Sequence, residues 1–526
     1  MKTVCMSVLV GVLVSLALGC AQDTDLGTTD MGVMSESPCL ADASITVVEG
    51  QPLVLHLQCG TGRALEPEAF EPGQLPAGAT YHSEIAQLEW TPALDQAGDY
   101  QIPIVLPELA EHALVQVSVL DRFDAPDNVS VQEPRRYTRE LGLPVVHLTY
   151  PSALNADTYT PTTVTYLGRE YIADAKYRGA TSSKYPKRSY TLKFAKSDRF
   201  EAQQPGFEAP RRRIVLTSTF DDNSNLRQRL AFELWNRLDP DHIRIATYNA
   251  VLFVNGEYRG VYLVGDHVDE DLLDAHGMWR ESNLYKARQH SSDFTPPSGA
   301  TDSETNWHIG YTKEEGEPEA DAPDAYADLD ALVAWVAQAD ETAFFDELDQ
   351  RLRRTDFEDW LVFVGAIAAT DSAGKNSYLC HDPRSDSEVD ARWRYIPWDF
   401  NASFGQSYRT SRRTADAYPP QAFGQYNHLF ERLLGNADAR QHIHDRYAAA
   451  LSGAWQLASV QAWLAEHAQE IAAASERDET KWRDAYRAYW TSARSDFLSH
   501  TEEVDYLREW LDARWALLQR ASGSSD

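Results

Sequence analysis

The chain has 526 residues, enough for several domains and a sizeable core, and its 14 Trp and 25 Tyr exclude a disordered or fibrous polymer. Acidic residues number 80 against 48 basic ones, a net charge of −32, with no basic stripe to release counterions, so nucleic acid is excluded as the main partner. That charge favours solubility and leaves the fold open.

Residues 1–20 read as an export signal. Lys2 gives a positive start, Val8 to Leu18 is an apolar run too short to span a bilayer, and Ala17-Leu18-Gly19-Cys20 offers a small-residue cleavage site. Gly19-Cys20 resembles the bacterial lipobox, with Ala17 where Leu is usual. Cys20 is then the expected lipid anchor, and the mature chain is expected at the periplasmic or outer cell surface, or secreted. Residues 21–40, rich in Asp, Thr, Ser and Gly, read as a flexible tether. Cys39 and Cys59 could pair in an oxidising compartment, which leaves Cys380 as an expected buried thiol.

Residues 41–122 read as all-β. Ile45-Thr-Val-Val, Leu53-Val-Leu-His-Leu, the run ending Tyr100-Gln-Ile-Pro-Ile-Val-Leu, and Ala113-Leu-Val-Gln-Val-Ser-Val-Leu suit strands. The stretch LPAGATY…LEWTPALDQAGDYQIPI resembles bacterial Ig-like and cadherin-like modules, which implies a β-sandwich. Residues 123–140, with charges and Pro, read as a linker.

From 141 to 520 strands and helices mix. Tyr190-Thr-Leu-Lys-Phe alternates as a strand. YNAVLFVNGEYRGVYLV, residues 248–264, sets two alternating runs around Asn255-Gly256, the pair that suits a type I′ hairpin turn. Leu226, Leu230, Leu234 and Leu238 recur every four residues behind Asp222, Asn223 and Ser224, which predicts a capped helix. Residues 288–326 read as a polar surface insertion. From Asp328 the chain is mostly helical, and Trp455, Trp463, Trp482, Trp510 and Trp515 suggest a helical C-terminal lobe.

The sequence has no GxxxxGK[ST], HExxH, GxSxG or dinucleotide GxGxxG, and its 15 His do not cluster at ligand spacing. One ordered constellation remains. The apolar helix DFEDWLVFVGAIAA, residues 356–369, leads into TDSAGKN, so Asp371 and Asn376 share a loop. Two strand runs, Ser377-Tyr-Leu-Cys and Trp393-Arg-Tyr-Ile-Pro, then deliver Asp399 and Asn401. Helix, Asp-x4-Asn, hairpin and Asp is the order of functional parts in a protein-kinase C-lobe. There one Asp positions the attacking hydroxyl, and the Asn and second Asp hold the metal ions on the nucleotide phosphates. Oxygen donors suit Mg²⁺ because it is a hard cation. YRGATSSKYPKRSYTLKF, residues 177–194, supplies positive partners: Lys187 and Lys193 are candidates for the phosphate-reaching lysine. Glu233, on the predicted Leu226–Leu238 helix, is the candidate for its steadying acid.

Four blocks, YRGATSSKYPKRSYTLKF, TFDDNSNLRQRLAFELW, LFVNGEYRGVYLVGDHVDEDLL with NLYKA, and D-x4-N joined to YIPWDFNASFG, resemble the spore-coat protein H (CotH) kinase family in order. NHLFERLLGN…HDRY also fits. The resemblance implies an α+β, divergent protein-kinase-like domain over 141–520. It implies Asp371 as the catalytic Asp that accepts the hydroxyl proton, Asp399 with Asn376 and Asn401 at the metal, and Arg178, Lys187, Lys193 and Asp266 toward the nucleotide. The hairpin would lead toward the adenine pocket. The implied cofactor is Mg²⁺ or Mn²⁺, the phosphoryl donor ATP, and the acceptor a Ser or Thr of a surface or secreted protein. Two departures stand out. The family usually has Asp-x-Asp-x-x-Phe-Gly, and here the second acid is Asn401, one negative charge fewer for a metal. Glu is common where Asp266 stands. The alternative expectation is a kinase-like fold that has lost turnover and acts as a surface-binding or coat-organising lipoprotein.

Overall fold

The structure, a computed structural model, describes residues 12–15, 42–57, 66, 69–93, 96, 98–120, 134–180, 182–297, 306–369, 371–372, 374–384, 390–489 and 498–523. Most of the expected export signal with Cys20, the tether over 21–40, Cys39, Cys59 and linker residues 123–133 lie outside them. The chain divides into two compact units, Met1–Gly142 and Leu143–Asp526.

In the first unit, β1 (Val12–Ser15), β3 (Leu53–His56), β5 (Thr80–His82) and β6 (Gln87–Trp90) make one sheet in the order β1-β3-β6-β5. A second sheet has the order β2-β8-β7-β4, from β2 (Ala43–Val48), β4 (Glu71–Pro72), β7 (Gly98–Leu106) and β8 (Glu111–Leu120). Alternation drives this packing: Leu53, Leu55, Leu88 and Trp90 of one sheet share a core with Ile102, Ile104, Val115 and Val117 of the other. The short strand β9 (Arg139–Glu140) ends the unit.

The second unit begins with seven strands: β10 (Leu143–Thr149), β11 (Thr160–Tyr166), β12 (Arg169–Arg178), β13 (Ser189–Phe194), β14 (Arg213–Thr217), β15 (Thr247–Val254) and β16 (Glu257–Asp266). They pair in the order β11-β12-β13-β14-β16-β15-β10, and β10 pairs back onto β11 from Val146↔Tyr166 to Thr149↔Thr163. The sheet therefore closes as a barrel, which covers its edges. Tyr166, Tyr171, Phe194, Phe200 and Tyr248 fill its interior together with aliphatic residues. The β15–β16 turn has φ of +50° at Asn255 and +82° at Gly256, as a type I′ hairpin requires.

Helix α1 (Arg227–Leu238) lies between β14 and β15. Of its expected caps, Asp222 acts: its carboxylate accepts from the Ser224 and Arg227 amides at 3.0 and 2.9 Å. After α2 (Glu270–Ala275) come β17 (Asn283–Ala287), β18 (Tyr311–Glu315), α3 (Ala327–Gln338), α4 (Glu341–Arg351), α5 (Arg354–Ala366), β19 (Ser377–His381) and β20 (Arg394–Pro397). The four strands form a second sheet, β18-β17-β19-β20. The expected surface insertion over 288–326 is thus corrected: it contributes β18 and buries Phe294 and Tyr311, two aromatics in a stretch whose average polarity hid them.

Helices α6 (His428–Gly435), α7 (Ala437–Ser452), α8 (Leu457–Ala488) and α9 (His500–Ala521) follow. Of these, α8 braces the barrel directly, because its Trp482 indole donates to the Arg259 carbonyl of β16 at 3.0 Å. Cys380 is buried as a free thiol. Among the described residues no helix is long and apolar enough to cross a membrane.

Candidate functional site

Asp371 follows α5, which is buried at every residue from Asp356 to Ala366. The last carbonyls of such a helix cannot turn to water. Arg514 of α9, itself fully buried, donates to the Gly365 and Ala366 carbonyls and so ends the helix at a fixed point. Asp371 then lies where Lys375 Nζ is 2.8 Å and Asn376 Nδ2 3.3 Å from its Oδ2, with His290 Nε2 3.8 Å from Oδ1.

An antiparallel hairpin explains how Asn376 meets Asp399. Ser377, at the start of β19, pairs with Pro397, at the end of β20, so the residues just outside them lie together. The Trp398 amide donates to the Asn376 carbonyl at 3.0 Å. Both Asn376 (φ +61°) and Asp399 (φ +64°) adopt the left-handed conformation, which Asn and Asp tolerate better than most residues.

Positive charge faces these acids. Arg178, the last residue of β12, has its guanidinium 5.1 Å from the centre of the Trp398 ring and attracts Asp399. Asp399 is open to solvent on one side, but crowding by protein on the others raises its carboxyl above the usual range. Arg178 opposes that rise and Asp371 adds to it, with Lys286 and Lys375 acting in Arg178's direction. Asn401 Nδ2 donates to Asp221 Oδ2 at 2.5 Å. Burial pushes Asp221 up to about 6, and the charge of Asp399 contributes. Asp371, Asn376, Asp399, Asn401 and Asp221 therefore form one neighbourhood of oxygen donors, the donor type that Mg²⁺ and Mn²⁺ prefer.

Four expected members lie elsewhere. Lys187 is 1% exposed, and its Nζ donates to Asp478 Oδ1 at 2.5 Å and the Val261 carbonyl at 2.7 Å. Its partner is thus Asp478 of α8, not Glu233, which pairs with Arg237 one helical turn on at 2.6 Å. Burial lowers the Lys187 pKa and raises that of Asp478, each opposed by the other's charge. Gly260 makes the contact possible: a Cβ there would stand 1.8 Å from Asp478 Oδ1, and φ is +101°. Asp266 is buried against Arg211 at 2.7 Å and accepts from the Ala246 amide at 2.8 Å, so it closes the barrel's end. Lys193 lies over the Tyr159 ring, 5.4 Å from its centre, with Asp174 opposite it across the β12–β13 ladder. A separate group, Asp239, His242 and Asp359, has ligand-type atoms within 4.8 Å of one another, but the Arg446 fork engages Asp359 and His242 stacks on Trp235 at 3.9 Å. That is an ion-pair network.

Residue-by-residue reading passed over Asp221, Lys286 and Asp478. Asp221 and Lys286 sit inside the blocks TFDDNSN and NLYKA, where a second acid and a strand lysine are visible but carry no periodic signal. Asp478 lies on a helix more than two hundred residues away from its partner, beyond any local pattern.

A barrel braced by helices, with an acid-and-amide site at a hairpin end opposite an arginine, defines a metal- and anion-compatible α+β protein. The CotH kinase protein family model matches residues 175–518, well over half of the chain, so the chain belongs to that family. It is also similar to the inner spore coat protein H of Bacillus subtilis (strain 168), with 24% identity over 269 residues, covering 51% of this chain and 68% of that protein.

Proposed function

We propose that this chain is an exported phosphotransferase that moves the γ-phosphoryl group of ATP onto Ser or Thr hydroxyls of surface or secreted proteins. The observation that carries the reading is the meeting of Asp371, Asn376 and Asp399 at one hairpin end with Arg178 opposite. Asp371 accepts the proton of the acceptor hydroxyl as its oxygen attacks the γ-phosphorus. The bond to the bridging oxygen breaks, and its electron pair leaves with ADP. Asn376 and Asp399, aided by Asn401, would hold Mg²⁺ or Mn²⁺, which supplies charge neutralisation on the phosphates when bound. Arg178 and Lys286 add fixed positive charge beside them, and the Lys375 ion pair orients Asp371.

Purified full-length protein with radiolabelled ATP and Mn²⁺ tests this on itself and on a mixed Ser/Thr protein substrate. Asp371→Ala and Asp399→Ala are each expected to lower label transfer by about 10²- to 10⁴-fold. Equal labelling by wild type and both variants would overturn it.

A second reading, a surface-binding protein without turnover, is favoured by one observation: Lys187, the expected phosphate lysine, is committed to Asp478 and Val261. Thermal stability with ATP and Mg²⁺ separates the two. A nucleotide at about a hundred times its dissociation constant adds ~2.7 kcal/mol, and a bare binding module shows no shift.

A further inference from the structure

The resemblance noted in the sequence implies a carboxylate at position 401, where this chain has Asn401. Asn401 donates through Nδ2 to Asp221 Oδ2 at 2.5 Å, across 180 residues of sequence. Gln406 fastens the two loops, its Nε2 donating to the Asp221 carbonyl at 2.7 Å and the Asn401 carbonyl at 3.3 Å. The two adjacent acids of the TFDDNSN block have different surroundings. Asp222 is ion-paired with Arg227 at 2.6 Å and caps α1. Asp221 is 7% exposed and has neutral partners, Asn401 and the Tyr185 hydroxyl at 3.2 Å. Asn401, which holds Asp221, stands two residues after the acid Asp399, and the side-chain partners of Asp221 among the described residues are neutral; a buried carboxylate so placed is costly in the apo protein. Such an arrangement becomes favourable when a cation arrives between the acids.

We propose that Asp221 supplies the negative charge that position 401 lacks, as a second carboxylate for the divalent cation at Asp399, with Asn401 as its positioning residue. The inference rests on the reading of Asp399 as a metal-holding group. It makes the metal site of this chain an assembly of the β14–α1 loop and the segment after β20, with the acid moved from one to the other. The site keeps its charge although its signature motif has lost one.

The test is Mn²⁺ binding to the full chain with a non-hydrolysable ATP analogue, read by electron paramagnetic resonance, so that it does not depend on turnover. Wild type, D221N, N401D, the D221N/N401D double variant and D399N are compared. D221N is expected to weaken binding by about ten- to a hundredfold, and the double variant, with the acid back at 401, to recover most of it. The melting temperature of metal-free D221N is expected to equal or exceed that of wild type, because an uncompensated buried charge is gone. A purely structural Asp221 would give the opposite. Wild-type affinity in D221N with loss in D399N overturns the proposal and leaves the metal reading standing, as does a double variant no tighter than D221N. Equal binding by wild type and D399N overturns both.

Discussion

Two places in the second unit gather acids and arginines, and they differ in how the charges are matched. At the seam between α1 and α9, fully buried Arg227 bridges Asp222 at 2.6 Å and Glu503 at 2.5 Å, and Arg412 takes the remaining face of Glu503. Every charge there has a partner in direct contact. At the candidate site Asp399 meets Arg178 and Lys286 through their fields, and among the described residues the side-chain partners of Asp221 are neutral. The first arrangement is matched by direct contacts and holds the fold; the second is not so matched among the described residues. Burial alone does not distinguish them, since Asp221 is buried as Asp222 and Glu503 are. Matching does.

The largest stability effect is expected at the seam. Glu503→Gln leaves Arg227 and Arg412 short of an anion inside the protein and should cost about 3–5 kcal/mol in urea unfolding. Asp399→Asn, by contrast, should leave stability within about 0.5 kcal/mol of wild type. A D399N loss as large as that of E503Q would erase the contrast between the two places.

Acid should expose the same difference. The two arginines hold Glu503 down to about 2 against an ordinary 4.5. Its folded-state pKa is below the unfolded one, so the unfolded chain binds the proton first and stability falls as pH drops. The contribution is complete above about 4.5, declines between 4.5 and 2, and amounts to roughly 3 kcal/mol. Comparing wild type with E503Q in urea at pH 6 and pH 3 checks this: the gap between them should narrow at pH 3. A constant gap would mean that Glu503 is not held by charge.

Local chemistry made part of this legible from the sequence. The Asn255-Gly256 hairpin, α1 behind Asp222 and the buried α5 follow from turn residues, caps and periodicity within a few positions of one another. The nearness of Asn376 to the Trp398-Asp399 segment was readable because a hairpin brings its own flanks together, a local rule. Closure of the barrel by β10 on β11, the Lys187–Asp478 pair and the Asp221–Asn401 contact depend on tertiary packing between distant segments, and no window of sequence carries them. Glu233 was chosen because a helix glutamate commonly steadies a strand lysine. Here α8 packs on β16 and puts Asp478 there first.

Glu233 therefore offers the smallest and most discriminating effect. Its partner Arg237 is exposed, and such pairs one helical turn apart contribute about 0.3–0.5 kcal/mol. Ala is also the stronger helix former, so Glu233→Ala should change stability by no more than that and leave nucleotide binding and label transfer at the wild-type level. Asp478→Asn is its counterpart. It leaves the Lys187 ammonium buried without an anion and should lower the melting temperature by several degrees. If E233A instead loses label transfer with its stability intact, Glu233 belongs to the working site and Lys187 must exchange partners during turnover. If D478N alone is affected, the lysine of the YPKRSY segment holds the barrel to α8, and the charge that meets the phosphates comes from Arg178 and Lys286.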